Sequence, residues 1–334
     1  MTNRQSASDG ILSDMERRWL VRRAQGGYGL LSTCAASVCQ EGRAWQGQLG
    51  ITEANMPGLT ALAAELIAHG AAPFVQLHHG GREAKFAPGL RLSTVDGEGV
   101  RGATPADLER VVDAFVVAAR RCEAAGFAGV EIHGANGYLF TQFLAPRDNP
   151  RTDAWGGDLA GRAKLLRDTT RAVRAATSPR FAVGVRISPV DSGSRRGLVL
   201  DDALVLARWL ADDGIDFLHL SLTDASGAPP LEDTDEPVAT VIRRALPASV
   251  ALVAAGGIQT AADVRRAMAA GVDIVATGRV AIPHPDWPTE VTRPGWSPLP
   301  PPWTQQHLAS VDVGEKLFEY LQLFRGLVEG GRPA

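Results

Sequence analysis

The stretch "VALVAAGGIQTAADVRRAMAAGVDIVATGR", residues 250–279, decides how the chain folds. Its first run, "VALVAAGG", is short, apolar and free of polar alternation, which reads as a strand buried on both faces rather than one with a wet side. Two glycines end it. Thr260 then opens an amphipathic segment, "TAADVRRAMAAG", that has helical spacing and closes on Gly271. A second apolar run, "DIVATGR", follows from Asp273. Strands buried on both faces and alternating with helices read as a parallel sheet, whose neighbouring strands need a crossover connection of this length.

The same unit recurs along the chain. Strand-like runs are "GLLSTCAASV" from Gly29, "PFVQLHH" from Pro73, "GVEIHGA" from Gly129, "FAVGVRISP" from Phe181 and "DFLHLSL" from Asp216, which with the two above make seven. Helical patterns alternate with them: "SDMERRWLVRRAQ", "TPADLERVVDAFVVAARRCEAAG", "GRAKLLRDTTRAVRAAT" and "DDALVLARWLADDG". The repetition is structural, with no repeated sequence. A closed (β/α)8 TIM barrel accounts for it better than an open sheet, since such barrels take about 250 residues and tolerate loop insertions. No compositional break divides residues 1–334, so a single barrel domain is expected.

Composition narrows the function. A chain of 334 residues, 45% of them hydrophobic, can bury a large core. Its net charge of −3 leaves no electrostatic footprint for nucleic acid or an anionic membrane surface, so a small-molecule substrate is the expected partner. Cys34, Cys39 and Cys122 form no CxxC pair, which argues against zinc, iron–sulfur and disulfide frameworks, and no metal site is expected. With no signal-like start and no apolar run of about 20 residues, a cytoplasmic location is expected. The oligomeric state is not legible.

Five of the runs end in polar residues or glycines: Gln76, His78 and His79; His133; Arg186; Gly256 and Gly257; Gly278 and Arg279. In a barrel all of these gather on the C-terminal rim, where active sites are built. The last two runs pair glycine-rich strand ends with a helix start and an arginine, the pattern with which barrels hold a phosphate. A flavin mononucleotide and a sugar phosphate fit that pattern equally well. Residues 130–139, "VEIHGANGYL", add three neutral hydrogen-bonding side chains, His133, Asn136 and Tyr138, on a glycine-broken turn.

The segments "VQLHHGGR", "GVEIHGANGYLFTQFLAPRDNPRTDAWGGD", "VGVRISP", "AAGGI" and "ATGRVAI" resemble, in order and spacing, the old yellow enzyme family of FMN-dependent NAD(P)H oxidoreductases, or ene-reductases. The long middle motif is highly specific, and the resemblance covers nearly the whole chain. It implies FMN as cofactor and NADH or NADPH as reductant. By the same resemblance Gln76 meets the pyrimidine edge of the flavin, Arg186 lies near its N1 and O2, Ala35 and Thr2 meet the ring, and Gly256, Gly257, Gly278 and Arg279 hold the phosphate. His133 and Asn136 are implied to polarise the substrate's carbonyl or nitro oxygen, Tyr138 to deliver a proton, and His78 to face the substrate at a variable position. Asn149, Arg151, Asp153 and Trp155 match a loop that locks the rim, and His79 reads as structural.

Two other readings stay open: a lyase or isomerase that uses the phosphate site for its substrate, and a flavin-binding protein without turnover. The lyase would want a Lys or Glu at a strand end, and the mapped ends offer none. The resemblance also leads one to expect a first strand ahead of "MTNRQSASDG", with Met1 internal to a longer protein, or else a barrel with two exposed strand edges that binds flavin weakly. The proline run "SPLPPPW", Ser297 to Trp303, reads as a rigid surface connection.

Overall fold

In a computed structural model, which describes residues 2–190, 198–225 and 236–332, all seven predicted runs are strands of one parallel sheet. They are β1 (Leu30–Ser37), β2 (Ala72–His78), β5 (Gly129–Gly134), β6 (Ala182–Ile187), β7 (Phe217–Ser221), β8 (Ala251–Ala255) and β9 (Ile274–Ala276), and each pairs with the next in that order. Two short strands the sequence reading did not find, β3 (Arg91–Ser93) and β4 (Val100–Gly102), pair with each other above β2 in the chain order. The fold is therefore α/β and barrel-like, as expected. Met1, on which the expectation of an internal start falls, lies outside the described residues.

Helices cross between the strands: α2 (Met56–Ala68), α3 (Pro105–Ala124), α5 (Leu159–Ala176), α6 (Leu200–Asp212), α7 (Val238–Ala245) and α8 (Ala261–Ala269), with α1 (Asp14–Gln25) ahead of β1 and a short α4 (Leu139–Leu144) after β5. Their starts follow from local chemistry. Thr104 and Thr260 each accept the backbone N–H of an aspartate three residues on, and that aspartate bonds back, so both helices open on a reciprocal cap. Such a cap contributes about 1 kcal/mol. The inner faces, for instance Leu108, Val111 and Phe115 of α3, pack on the outer face of the sheet in one continuous core.

The inside of the sheet is layered. Phe74 of β2 and Phe217 of β7 meet edge to face across the interior, with ring centroids 5.8 Å apart. They can do so because β5 and β6 carry glycine at that level: a Cβ on Gly129 would lie 2.4 Å from the Phe74 ring, and one on Gly184 would lie 2.2 Å from Phe217. One step up each strand come Gln76, Glu131 and His219, and another step brings His78, His133, Arg186 and Ser221 to the C-terminal rim. An aromatic floor thus supports two polar storeys.

Among the described residues β1 and β9 pair with no common neighbour, so the ladder has a seam. Side chains cross it. Thr277 donates to the Tyr28 hydroxyl at 3.3 Å, Tyr28 stacks on Trp287, and Arg22 makes a two-pronged pair with Asp286. Arg23, fully buried, donates to the carbonyls of Ala281, Ile282, Trp19 and Val311. No carboxylate faces it in these bonds, and burial lowers its guanidinium to about 9.

The C-terminal part adds α9 (Trp287–Glu290), α10 (Gln305–Ser310) and α11 (Glu315–Leu321). Trp303, Leu308, Leu317 and Leu321 form a second small core. The proline run is more than a surface connection: Trp303 is buried, its indole N–H donates to Leu299 and its backbone bonds to Leu327, which pins the run to the chain's last turns.

Candidate active site

Three strand ends and one loop converge at the rim. His78 at the end of β2 and Tyr138 after β5 meet edge to face at 4.4 Å, and His133 lies 5.5 Å from both rings. Trp45, on the loop after β1, closes the group at 5.4 Å from His78 and 6.4 Å from Tyr138, and Ala35 packs beneath it. A cavity of about 400 Å³ opens over this cluster. Thr2, Trp45, Asn136 and Tyr138 line it, joined by Arg4 and, from α11, Tyr320.

The turn after β5 aims its side chains through backbone geometry. Asn136 itself takes the left-handed conformation, φ +62°, which asparagine tolerates better than most residues, and Gly137 follows at φ +82°. Gly134 is needed for space instead: a Cβ there would lie 2.9 Å from the Arg186 carbonyl oxygen. The Asn136 N–H donates to Ser188 Oγ at 3.1 Å. Its amide is oriented by a chain in which Arg186 donates to Ser221 Oγ at 3.1 Å and the Ser221 hydroxyl donates to Asn136 Oδ1 at 3.2 Å. With the oxygen tied, the NH2 end is the one left to meet a ligand.

His78 is held just as definitely. Gln48 accepts the Ala44 N–H at 2.7 Å and donates to the Ala35 carbonyl at 2.9 Å, which fixes which end of its amide is which. The same NH2 group lies 3.0 Å from His78 Nδ1, so that nitrogen accepts and the proton sits on Nε2. Nε2 is buried without a protein partner, as are His133 Nδ1 and Trp45 Nε1. Burial pushes the His78 and His133 imidazoles well below the usual histidine range, so both are neutral. Burial raises the Tyr138 phenol, with Tyr320 and Glu83 adding to the effect, so it keeps its proton at neutral pH. The neighbouring Thr2 hydroxyl works against burial at both the Tyr138 and the Tyr320 phenol.

Beneath lie Gln76, Glu131 and His219. Gln76 donates to one Glu131 oxygen, and His219 Nδ1 is 2.5 Å from the other. Burial alone would raise the Glu131 carboxyl, but His219, Arg186 and Gln76 outweigh it and hold it at about 2. His219 is pushed down by burial and stays neutral, its Nε2 unpartnered.

Further round the rim, Gly256 and Gly257 take φ +150° and +65°, and a Cβ on Gly256 would strike the Leu222 carbonyl at 2.4 Å. Gly278 has open space where its Cβ would be, beside an exposed Arg279. Arg279 lines a separate hollow of about 310 Å³ with Gln259, not the cavity over Tyr138. The residues expected to bind a flavin ring are therefore together, and those expected to bind its phosphate form a neighbouring group. Unpartnered buried nitrogens under the rim and an open glycine cradle next to a cation suit a planar, hydrogen-bonding ligand with an anionic tail.

Several expected supporting roles are visible. Asn149 donates to the Phe143 and Trp155 carbonyls, while Arg151 donates to Thr94 and Ala103 and pairs with Asp153, tying this loop to the β3–β4 pair. His79 packs on Gly42 and accepts the Gly81 N–H at 3.0 Å. Cys34 points to the helix side of β1, where its buried thiol lies 3.1 Å from the equally buried Glu16. Gln48, Glu131, Ser221, His219 and Tyr320 escaped the sequence reading. Glu131 and His219 could have been found from their spacing, each two residues before a rim residue on its strand.

Comparison with known proteins agrees with this arrangement. Residues 1–294 match the model of the NADH:flavin oxidoreductase / NADH oxidase family, and the chain belongs to that family. It is 35% identical over 309 residues to a probable NADH-dependent flavin oxidoreductase of Bacillus subtilis, covering 87% of this chain and 82% of that protein. It is 31% identical to the NADH:fumarate oxidoreductase of Klebsiella pneumoniae, over 81% of this chain but only 31% of that larger protein. Among solved structures it superposes on a 2-naphthoyl-CoA reductase with a TM-score of 0.78 at 24% identity, covering 87% of this chain and 48% of that one, a likeness of fold. The protein is an oxidoreductase that uses FMN, with NADH or NADPH as reductant. Among the described residues no helix is long and apolar enough to cross a membrane.

Proposed function

We propose that the protein reduces the activated C=C bond of α,β-unsaturated carbonyl or nitro compounds at the cavity over Tyr138. The observation that carries this reading is the meeting of a neutral donor, the NH2 end of Asn136, with a protonated phenol, Tyr138, on the wall of one cavity, with the neutral, buried His133 ring packed 5.5 Å from that phenol. FMN, when bound, supplies the hydride chemistry, collecting electrons from reduced nicotinamide and passing them on. Gln76, Arg186, Ala35 and Thr2 would hold its ring, and Gly256, Gly257, Gly278 and Arg279 its phosphate. His133 and Asn136 bind the substrate's oxygen and stabilise the negative charge that develops there, His133 from a buried position and Asn136 oriented in advance by Ser188 and Ser221. Their neutrality matters, since neither has to give up a counter-ion to donate. Tyr138 protonates the carbon next to the carbonyl or nitro group as general acid, for which a phenol still protonated at neutral pH is suited. His78, whose buried Nε2–H has no protein partner, is the further donor this reading assigns to a substituent of the substrate.

The whole chain, 1–334, is read as one domain acting on small molecules. The names of two relatives point to C=C chemistry: the fumarate oxidoreductase already described and, at 32% identity over 29% of its length, a Vibrio harveyi NADH:acrylate oxidoreductase. The test is anaerobic. Purified holoprotein should bleach with NADH or NADPH and regain its yellow colour on adding a cyclic enone or a nitroalkene, with one equivalent of reduced product. Bleaching without recovery across such a panel would overturn the reading and leave a flavin protein with another acceptor.

A further inference from the structure

The buried Glu131–His219 pair has no part in the chemistry just described, yet it sits beside Gln76 and next to Arg186, the two residues assigned to the flavin's pyrimidine edge. We propose that this pair is a positioning device which fixes the Gln76 amide and offsets the charge of Arg186, and so sets how strongly the site prefers reduced over oxidised FMN. The proposal rests on the flavin-site reading above.

The geometry is specific. Glu131 stands on β5 beside Gln76 on β2, whose NH2 group donates to one carboxylate oxygen. An ionised carboxylate only accepts, so it holds the amide against a flip and commits its nitrogen end to Glu131. The other oxygen takes His219 Nδ1 from β7, two strands away. That reach is open because β6, lying between them, carries Gly184 opposite Glu131 and has no side chain at that level. Arg186, the next inward residue of β6, is register neighbour to both His133 and His219. Its positive charge is one of the influences that hold Glu131 ionised.

The electrostatic consequence follows from counting charges in this dry interior. Glu131 is negative, Arg186 positive and His219 neutral, so the group as a whole is balanced. A reduced flavin carries more negative charge than an oxidised one, and a cation beside it favours reduction. Glu131 moderates that preference by compensating Arg186. A merely structural ion pair would hold the barrel together without altering this ratio.

Glu131→Gln keeps the volume and a partner for His219 while removing the charge. In FMN-loaded protein, potentiometric titration should show reduced FMN favoured about tenfold more than in the wild type, which for two electrons is a shift of about +30 mV. Its fluorescence-monitored FMN affinity in the oxidised state should change less. His219→Leu is the second variant, and carries the test if Glu131→Gln does not fold. Removal of one donor leaves Glu131 easier to protonate, so the same positive shift should develop as pH falls. His219→Asn, which keeps an N–H where Nδ1 lies, should restore wild-type behaviour. Potentials unchanged in both Glu131→Gln and His219→Leu would overturn the proposal. Arg186→Met separates the two levels of the reading: a lowered potential in that variant with none moved by Glu131 defeats the positioning role alone. No change in any of the three defeats the flavin placement as well.

Discussion

Gln48 lies outside every motif of the chain, yet replacing it tests how the site is assembled. In Gln48→Met the side chain keeps its length and loses both polar ends. The Ala44 N–H and the Ala35 carbonyl, bonded to it at 2.7 and 2.9 Å and both in buried residues, then have no partner. Each such orphan costs about 1–3 kcal/mol, or about 2–6 kcal/mol together. At about 2 °C per kcal/mol the melting temperature should fall by about 4–12 °C. The change also releases His78, whose Nδ1 no longer meets an amide donor. Imidazole ¹⁵N NMR should show the wild-type His78 proton on Nε2 and the variant's divided between the two nitrogens. Phenol-type ligands that use this donor should bind up to about tenfold more weakly, the net worth of one hydrogen bond. A wild-type His78 protonated on Nδ1, or a variant as stable as the wild type, would refute the account of the Gln48 contacts.

Tyr138→Phe should slow substrate reduction by about 10²–10⁴-fold while leaving flavin reduction by NAD(P)H nearly unchanged, as stopped-flow traces of the two half-reactions would show; equal slowing of both would defeat its role as acid. Acid should destabilise the fold early. His78, His79 and His133 are buried and neutral, His79 being pushed down by burial to about 4, whereas the unfolded chain takes up protons near 6.5. Below pH 6.5 the unfolded state therefore binds more protons, so this stability is whole above 6.5 and drains away toward pH 4. The slope is up to about 1.4 kcal/mol per pH unit for each histidine, and urea midpoints equal at pH 7 and pH 5 would contradict it. Gly184→Ala drives a methyl into Phe217 and should cost about 1–3 kcal/mol in chemical denaturation, with a neutral result refuting the tight aromatic floor.

What the sequence made legible was whatever depends on local pattern. Buried parallel strands announce themselves as short unalternating apolar runs, so all seven strands of the sheet were found, while β3 and β4, three residues each in a polar loop, carried no such signal. The rim residues could be named because a strand end is a position along the chain. Their partners could not. Gln48 and Tyr320 enter from a loop and a distant helix, and nothing in their own neighbourhoods says which cavity they reach. Glu131 reads as one acid in an apolar strand until the glycine on the next strand is seen to open its path to His219. The sequence shows a glycine-broken turn after β5, but not that Asn136 shares the left-handed conformation with Gly137 or that Gly134 serves to let a carbonyl approach.

The seam between β1 and β9 bears on how a cofactor leaves. Among the described residues β2, β5, β6, β7 and β8 are laced on both sides, but β9 has a ladder on one side only, and it is three residues long. The residues proposed to grip the phosphate, Gly278 and Arg279, follow this strand after the single residue Thr277. Local opening of a structure starts where fewest bonds must break at once. Peeling β9 away breaks the Thr277–Tyr28 contact, one short ladder and the bonds of Asp273 to Leu252 and Arg243, while the aromatic floor and the polar storeys above it stay assembled. With the phosphate held where proposed, release and reloading of FMN should be partial events at one margin of the sheet, with their own rate, distinct from that of unfolding. Amide exchange at Val275 and Ala276 should keep pace with FMN loss, and a mutation that tightens the seam should lengthen the cofactor's residence without altering the chemistry at Tyr138.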